Sequence, residues 1–403
     1  MKKIVLAFSG GLDTSFCAVY LAADLGYEVI SVTVDTGGFS GDELKRIEKR
    51  AKSLRVSRHI TIDARTRVYD DFISYIIRGN SLRGNTYPLS VGAERVAQAI
   101  EVGKVAVEED ADAVAHGSTG AGNDQIRFDV ALRVLLPDKD ILAPIRTLGW
   151  SRDREASWLK ERGVEVDLSV RDYSINEGLW GTTIGGKETH DSWQYPPDHV
   201  FKKTKNINDT PRDPREIVIG FEKGLPVTLD GKKYAGIDLV ETLNRVAGEY
   251  GIGRGVHIGD TILGIKGRIV FEAPAPFILI GAHRELEKLV LSAKQRFWKD
   301  HLGQVYGDLL HEGLYFDPVM RDMEAFIESS QAAVTGEARV RLQGGGYLVV
   351  GVRSGNSLMR TDLATYGETQ NLWDHRDAEG FSRIYGIPSM LHSIVRDRSP
   401  KTR

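Results

Sequence analysis

The stretch KIVLAFSGGLDTSFCAVYL, Lys3–Leu21, decides the fold. Ile4–Phe8 is an unbroken apolar run, the pattern of a strand buried on both faces. Ser9-Gly10-Gly11 then turns the chain, and Asp13, Thr14 and Ser15 open a helix over Thr14–Leu25 with small and apolar residues on one face. A helix N-terminus carries unpaired N–H groups and a positive dipole end, so it attracts anions. Gly10 and Gly11 allow close backbone approach, and Ser9, Thr14 and Ser15 add hydroxyl donors. The turn has no lysine and does not fit G-x-x-x-x-G-K-[ST]. It reads as a phosphate site without a lysine, against the simpler reading of a tight, ordinarily capped strand–helix turn.

Working outward, Tyr27–Val34 reads as a second strand, Asp42–Leu54 as a charged amphipathic helix and Arg58–Ile62 as a third strand. Ser90–Glu109 is a long helix, Ala113–Ala115 a strand core and Asp124–Leu135 another helix. Strands alternating with such helices predict an α/β, doubly wound parallel sheet with ligands at the strand ends. Val164–Arg171 fits one more strand, and Gly181–Pro214, rich in Gly, Pro, Thr, Asp and Asn, reads as loop. Beyond it, strand patterns cover Glu216–Phe221, Pro226–Leu229, Thr261–Phe271, Glu337–Leu342 and Tyr347–Arg353, with helices near Leu239–Gly248 and Arg284–Leu302. That is an α+β second domain. The expected boundaries are 1–168, 169–379 and a tail, 380–403, whose basic residues Arg396, Arg398, Lys401 and Arg403 belong either to a solvated end or to subunit contacts.

Composition narrows the function. At 403 residues the chain exceeds one core. A net charge of −3 gives no basic field for nucleic acid or a membrane surface. No apolar run approaches the ~20 residues of a spanning helix, and the run behind Lys2-Lys3 is too short for a signal peptide. The single cysteine, Cys17, excludes an intrachain disulfide and a multi-cysteine metal site, and suits a reducing cytoplasm. The ten histidines show no H-x-x-x-H pattern, so no protein-ligated metal is expected.

A second glycine loop, AHGSTGAGNDQIRF (Ala115–Phe128), follows the strand Ala113–Ala115 and enters a helix at Asn123 or Asp124. Asp124 is an acceptor suited to an amine; Thr119, Asn123 and Arg127 are donors suited to carboxylate or ureido oxygens. Two such loops on one parallel sheet can face the same crevice. Gly344-Gly345-Gly346, between strand-like runs, reads as a hairpin turn. Gly37-Gly38 stays open between a nucleotide contact and a plain strand end, and Trp180 between a pocket wall and a loop anchor.

SGGLDTS after an N-terminal strand resembles the signature loop of the N-type ATP pyrophosphatases. HGSTGAGNDQIRF, together with AFSGGLDTS, NTYPLS and YSINEGLWG, closely resembles the argininosuccinate synthase family over Lys3 to about Ser393. The resemblance implies an adenine nucleotide alpha hydrolase-like fold and a lysine-free loop that cradles pyrophosphate as a leaving group. It places ATP at Ala7, Phe8, Ser9, Gly10, Gly11, Leu12, Asp13, Thr14, Ser15, Val34 and Gly117. It places aspartate at Thr119, Asn123 and Asp124, and citrulline at Tyr87, Asn123, Arg127, Ser174 and Thr183.

Three positions depart from the family pattern. The hydroxyl residue after the tyrosine is replaced by Val91-Gly92, leaving Ser90 nearby. The citrulline-binding glutamate falls at Gly259, with Asp260 as its neighbouring substitute, and the following tyrosine is Phe271.

The implied reaction is AMP-forming ligation of citrulline and aspartate through a citrullyl-adenylate, in arginine biosynthesis. Mg2+ would bridge phosphate oxygens, no residue is assigned as general base, and Asp13 helps to organise either the metal or the loop. The implied assembly is a cytoplasmic homotetramer with exchanged C-terminal segments. The lone cysteine argues against thiolation enzymes with a catalytic cysteine pair, the chain has no room for a glutaminase domain, and the intact loops argue against a non-catalytic nucleotide sensor.

Overall fold

The computed structural model describes residues 1–165, 172–367 and 372–398. They fall into two compact units, Met1–Asn356 and Ser357–Arg403. The N-terminal part of the first unit is a five-stranded parallel sheet of β1 (Lys3–Ala7), β2 (Glu28–Asp35), β3 (Arg58–Asp63), β4 (Ala113–Ala115) and β5 (Asp140–Leu142). The order is β3-β2-β1-β4-β5, with β1 parallel to both β2 and β4. The order reverses between β1 and β4, where the crevice of a doubly wound sheet opens.

Alternation along β1 explains the continuous apolar run. Ile4 and Leu6 join a core with Phe16, Leu21 and Leu159, whereas Val5 joins a core on the other face with Val32, Ala99 and Val102. Helices Leu12–Ala23 and Ser90–Glu108 supply those opposite layers.

The rest of the unit holds two antiparallel sheets. One contains β6 (Ser174–Glu177), β7 (Thr182–Gly185), β11 (Arg254–Asp260) and β12 (Lys266–Glu272), in the order β11-β12-β7-β6. The other contains β8 (Arg215–Glu222), β9 (Leu225–Leu229), β10 (Lys232–Lys233), β13 (Gly336–Gln343) and β14 (Gly346–Arg353), in the order β10-β9-β8-β13-β14. Helices Pro274–Val290, Ala293–His311 and Pro318–Gln331 share a buried core with the latter sheet through Ile278, Leu310, Met320 and Val340.

Several local expectations need correction. Gly181–Pro214 is not all loop: Thr182–Gly185 is a strand between two partners, because three consecutive β-branched residues outweigh the flanking glycines. The run Thr261–Phe271 is half of a hairpin, with β11 before it and a turn at 261–265. The helix expected over Arg284–Leu302 is two helices, separated where Ser292 caps the second by accepting from the Gln295 N–H. The triple glycine does join β13 to β14 as a hairpin. Most of Val164–Arg171 and the boundary at 168 lie outside the described residues, as do Lys401 and Arg403. The second unit begins upstream of Gly380, which lies inside helix His375–Tyr385; helix Ile387–Arg398 follows.

Candidate active site

At the β1/β4 switch point a cavity of about 1770 Å3 opens. Gly10 has φ +77° and fits there without strain because it has no Cβ. Gly11 precedes helix Leu12–Ala23 as its N-cap, so the first N–H groups of that helix are free for an anion. Ser9 and Thr14 brace the turn, their hydroxyls 3.2 Å apart. The segment Ala7–Thr14 and Val34 line the cavity; Ser15 does not. Ser15 is buried behind the loop and accepts from Arg50 Nε at 3.2 Å.

The loop after β4 meets this turn directly. Gly117 lies so close that a Cβ there would stand 2.9 Å from Thr14 Cγ2. His116 is buried between Asp129, 2.8 Å from Nε2, and the Ser118 N–H, which donates to Nδ1 at 3.3 Å. That pairing puts the ring proton on Nε2 and fixes the loop. Gly117, Thr119, Asn123, Asp124 and Arg127 all line the cavity. Asn123 Oδ1 accepts from the Ile262 N–H at 2.9 Å, tying the loop to the β11–β12 turn.

Asp124 is held by two guanidiniums. Arg95 Nε donates to Oδ2 at 2.9 Å and Arg127 Nη1 to Oδ1 at 2.7 Å. Burial works to raise its pKa, but the two arginines win and hold it at about 2. Arg127 also donates from Nε to the His311 carbonyl at 2.8 Å. Burial, with Arg127 and Arg83 nearby, pushes the His311 imidazole down to about 2, so it is neutral.

Tyr87 is buried and lines the cavity floor, its hydroxyl accepting from the Val91 N–H at 3.3 Å and lying 3.4 Å from Ser90 Oγ. Phe271 packs against the Tyr87 ring, with centroids 5.4 Å apart. Ser174 and Thr183, on β6 and β7, line the opposite wall. Asp260 lies outside the lining: it is exposed and pairs with Lys266 at 2.7 Å. Gly38 lines the cavity, whereas Trp180 anchors a loop by donating from Nε1 to the Pro88 carbonyl at 2.8 Å.

Of the cavity's arginines, the sequence pointed to Arg127 alone. Arg46, Arg50 and Arg152 line the cavity, with Arg50 donating to Ser15 and Arg152 3.7 Å from Asp13. Arg95 was legible: Val91, Arg95, Gln98 and Val102 all line the cavity, a helical i, i+4, i+7, i+11 stripe with two polar members. His311 had no such signal, because it arrives from a helix remote in sequence.

Two glycine turns over the ends of adjacent parallel strands, with arginines at one end of a shared cavity, define a nucleotide-binding α/β protein of the HUP class. The family model described as "Arginosuccinate synthase N-terminal HUP domain" matches residues 3–165, and "Arginosuccinate synthase C-terminal domain" matches 173–392. The chain belongs to the argininosuccinate synthase family. It is 42% identical to the argininosuccinate synthase of Trichodesmium erythraeum, covering 97% of this chain and 98% of that protein. It is 38% identical to that of Methanocaldococcus jannaschii (99% and 100% covered) and 40% identical to that of Acaryochloris marina (97% and 98%).

Proposed function

We propose that this protein ligates citrulline and aspartate to argininosuccinate, with ATP cleaved to AMP and pyrophosphate. One observation carries the reading: a lysine-free phosphate turn and the Asp124–Arg127–Tyr87 cluster open into a single cavity. The turn at Ser9–Thr14, the helix N-terminus behind it and Arg46, Arg50 and Arg152 are suited to the charge that builds on departing pyrophosphate.

The ureido oxygen attacks the α-phosphorus; the bond to the bridging oxygen breaks and pyrophosphate leaves with its electron pair. The aspartate amine then attacks the ureido carbon, the carbon–oxygen bond to AMP breaks, and protons from nitrogen pass to solvent. A ureido oxygen is a weak nucleophile, so positioning carries much of the first step. Tyr87, Arg127, Ser174 and Thr183 are assigned to hold citrulline, and Thr119, Asn123 and Asp124 to hold aspartate. Asp124, kept ionised, is an acceptor for the amine.

Among the described residues no group of three or more His, Cys, Asp or Glu side chains forms a metal cage. Asp13 Oδ1, however, is buried at the turn without a hydrogen-bond partner, which fits a Mg2+ held chiefly by phosphate oxygens with Asp13 beside it. When bound, that ion would neutralise phosphate charge.

We place the enzyme in the cytoplasm, on its lone buried cysteine, and as a homotetramer, on the apolar helices of its second unit. Among the described residues no helix is long and apolar enough to cross a membrane. Incubation with ATP, Mg2+, citrulline and aspartate tests the reading: AMP, pyrophosphate and argininosuccinate form in equal amounts. Pyrophosphate release that ignores citrulline would overturn it.

A further inference from the structure

The sheet β11-β12-β7-β6 turns one face toward the cavity, and its register fixes what stands there. Asn176 pairs with Thr183, Thr183 with Phe271, and Phe271 with Gly255. Two residues along, Ser174 pairs with Gly185 and Ile269 with His257, and beyond them Gly267 pairs with Gly259. Side chains alternate along strands, so these residues share a face. Contacts identify it as the cavity side: the Tyr87 ring lies 5.4 Å from Phe271 and 6.1 Å from His257, and Asn176 Oδ1 accepts from Arg95 at 2.7 Å.

No residue of this set carries a carboxylate. His257 is neutral, since burial and the neighbouring Arg83 lower its pKa. Its Nε2 is buried without a hydrogen-bond partner and occupies the space above Gly259, where a Cβ would stand 2.6 Å away. From the facing helices Arg95, Arg127 and Asp124 line the cavity, with the Asp124 carboxylate engaged by both arginines; Glu94, beside Arg95, is buried outside the lining, and burial lifts its pKa to about 8. Glu177 alternates to the other side of β6, where it still borders the cavity, and its carboxylate is paired with Lys203 at 2.7 Å. A ligand on this face therefore meets the hydroxyls of Ser174 and Thr183, the Asn176 amide and an aliphatic Ile269, the members of the set that line the cavity. An ammonium group placed there loses water and meets no unpaired carboxylate among the described residues of this face, whereas a carboxylate or hydroxyl finds donors.

We propose that the ureido substrate of this enzyme is recognised without an α-ammonium group, so that ω-ureido acids lacking it are accepted at least as well as citrulline. The inference rests on the ligation reading above and deepens it: the bonds made and broken at the ureido group are unchanged, and only the far end of the substrate differs.

The test compares citrulline with desamino-citrulline, its ω-ureido acid counterpart, as the variable substrate in AMP-forming ligation with aspartate. The expected kcat/KM for the desamino compound equals or exceeds that for citrulline. A site built around the ammonium would reject it by roughly a hundredfold or more, and a loss of that size would overturn the inference while leaving the ligation reading standing. If neither compound drives pyrophosphate release, the ligation reading itself fails, and the inference with it.

Ile269→Glu gives a second readout by placing a carboxylate at the centre of the face. It is expected to shift the ratio of kcat/KM values toward citrulline by about tenfold. An unchanged ratio in an active, folded variant would contradict the assigned face.

Discussion

At the scale of single residues, charge placement decides the chemistry. Asp124 is ionised because two arginines outweigh its burial, and it is assigned to the second chemical step alone. Asp124→Asn is expected to lower kcat/KM for aspartate about a hundredfold, the worth of a charge-assisted bond, while citrulline-dependent ATP–pyrophosphate exchange stays within about threefold. Equal losses in both would contradict that division. Glu94 shows the opposite balance. It is fully buried and one carboxyl oxygen has no hydrogen-bond partner, so burial lifts its pKa to about 8 against the pull of Arg95 and Lys203. The folded chain keeps a proton that the unfolded chain releases near 4.5. Stability is therefore lost as pH rises from about 4.5 through about 8. Glu94→Gln should match the parent Tm near about pH 5 and exceed it by about 4 °C or more above about pH 8. A gap that narrows with rising pH would contradict the burial argument. Cys17, buried and with its thiol pushed up by burial, should resist Ellman's reagent until the protein unfolds.

At the scale of elements, the site depends on how closely two turns approach. Gly117→Ala would drive a Cβ against Thr14 and part the two loops, raising KM for ATP about tenfold with little change in fold. An unchanged KM would show that the contact is slack. The parallel strands were legible because burial on both faces leaves continuous apolar runs, as in Ile4–Phe8. The glycine turns were legible because nothing else suits a strand end facing a helix start. Elements stabilised mainly by remote partners were harder to see. Strand Arg254–Asp260 contains two glycines and a histidine and gains its structure from pairing with Lys266–Glu272. Helix Pro318–Gln331 was missed although Asp317 caps it and Pro318 opens it. In the site, Arg95 lay on a readable stripe, whereas His311 and the turn that holds Asn123 depend on tertiary placement.

At the scale of the whole molecule, the second unit carries exposed apolar side chains on both of its helices. Helix His375–Tyr385 has no buried residue, and Phe381, Ile384 and Tyr385 are exposed, as are Leu391 and Val395 on the next helix. Apolar surface of this kind marks a protein interface. Sedimentation equilibrium should return four times the chain mass, and a monomer at micromolar concentration would contradict the proposed homotetramer. In the proposed order of bond breaking, the ureido oxygen displaces pyrophosphate before aspartate takes part. Exchange of labelled pyrophosphate into ATP measures that step directly. Exchange is expected to require a ureido substrate and to proceed without aspartate. Exchange that proceeds with no ureido substrate, or the appearance of ADP in place of AMP, would contradict it.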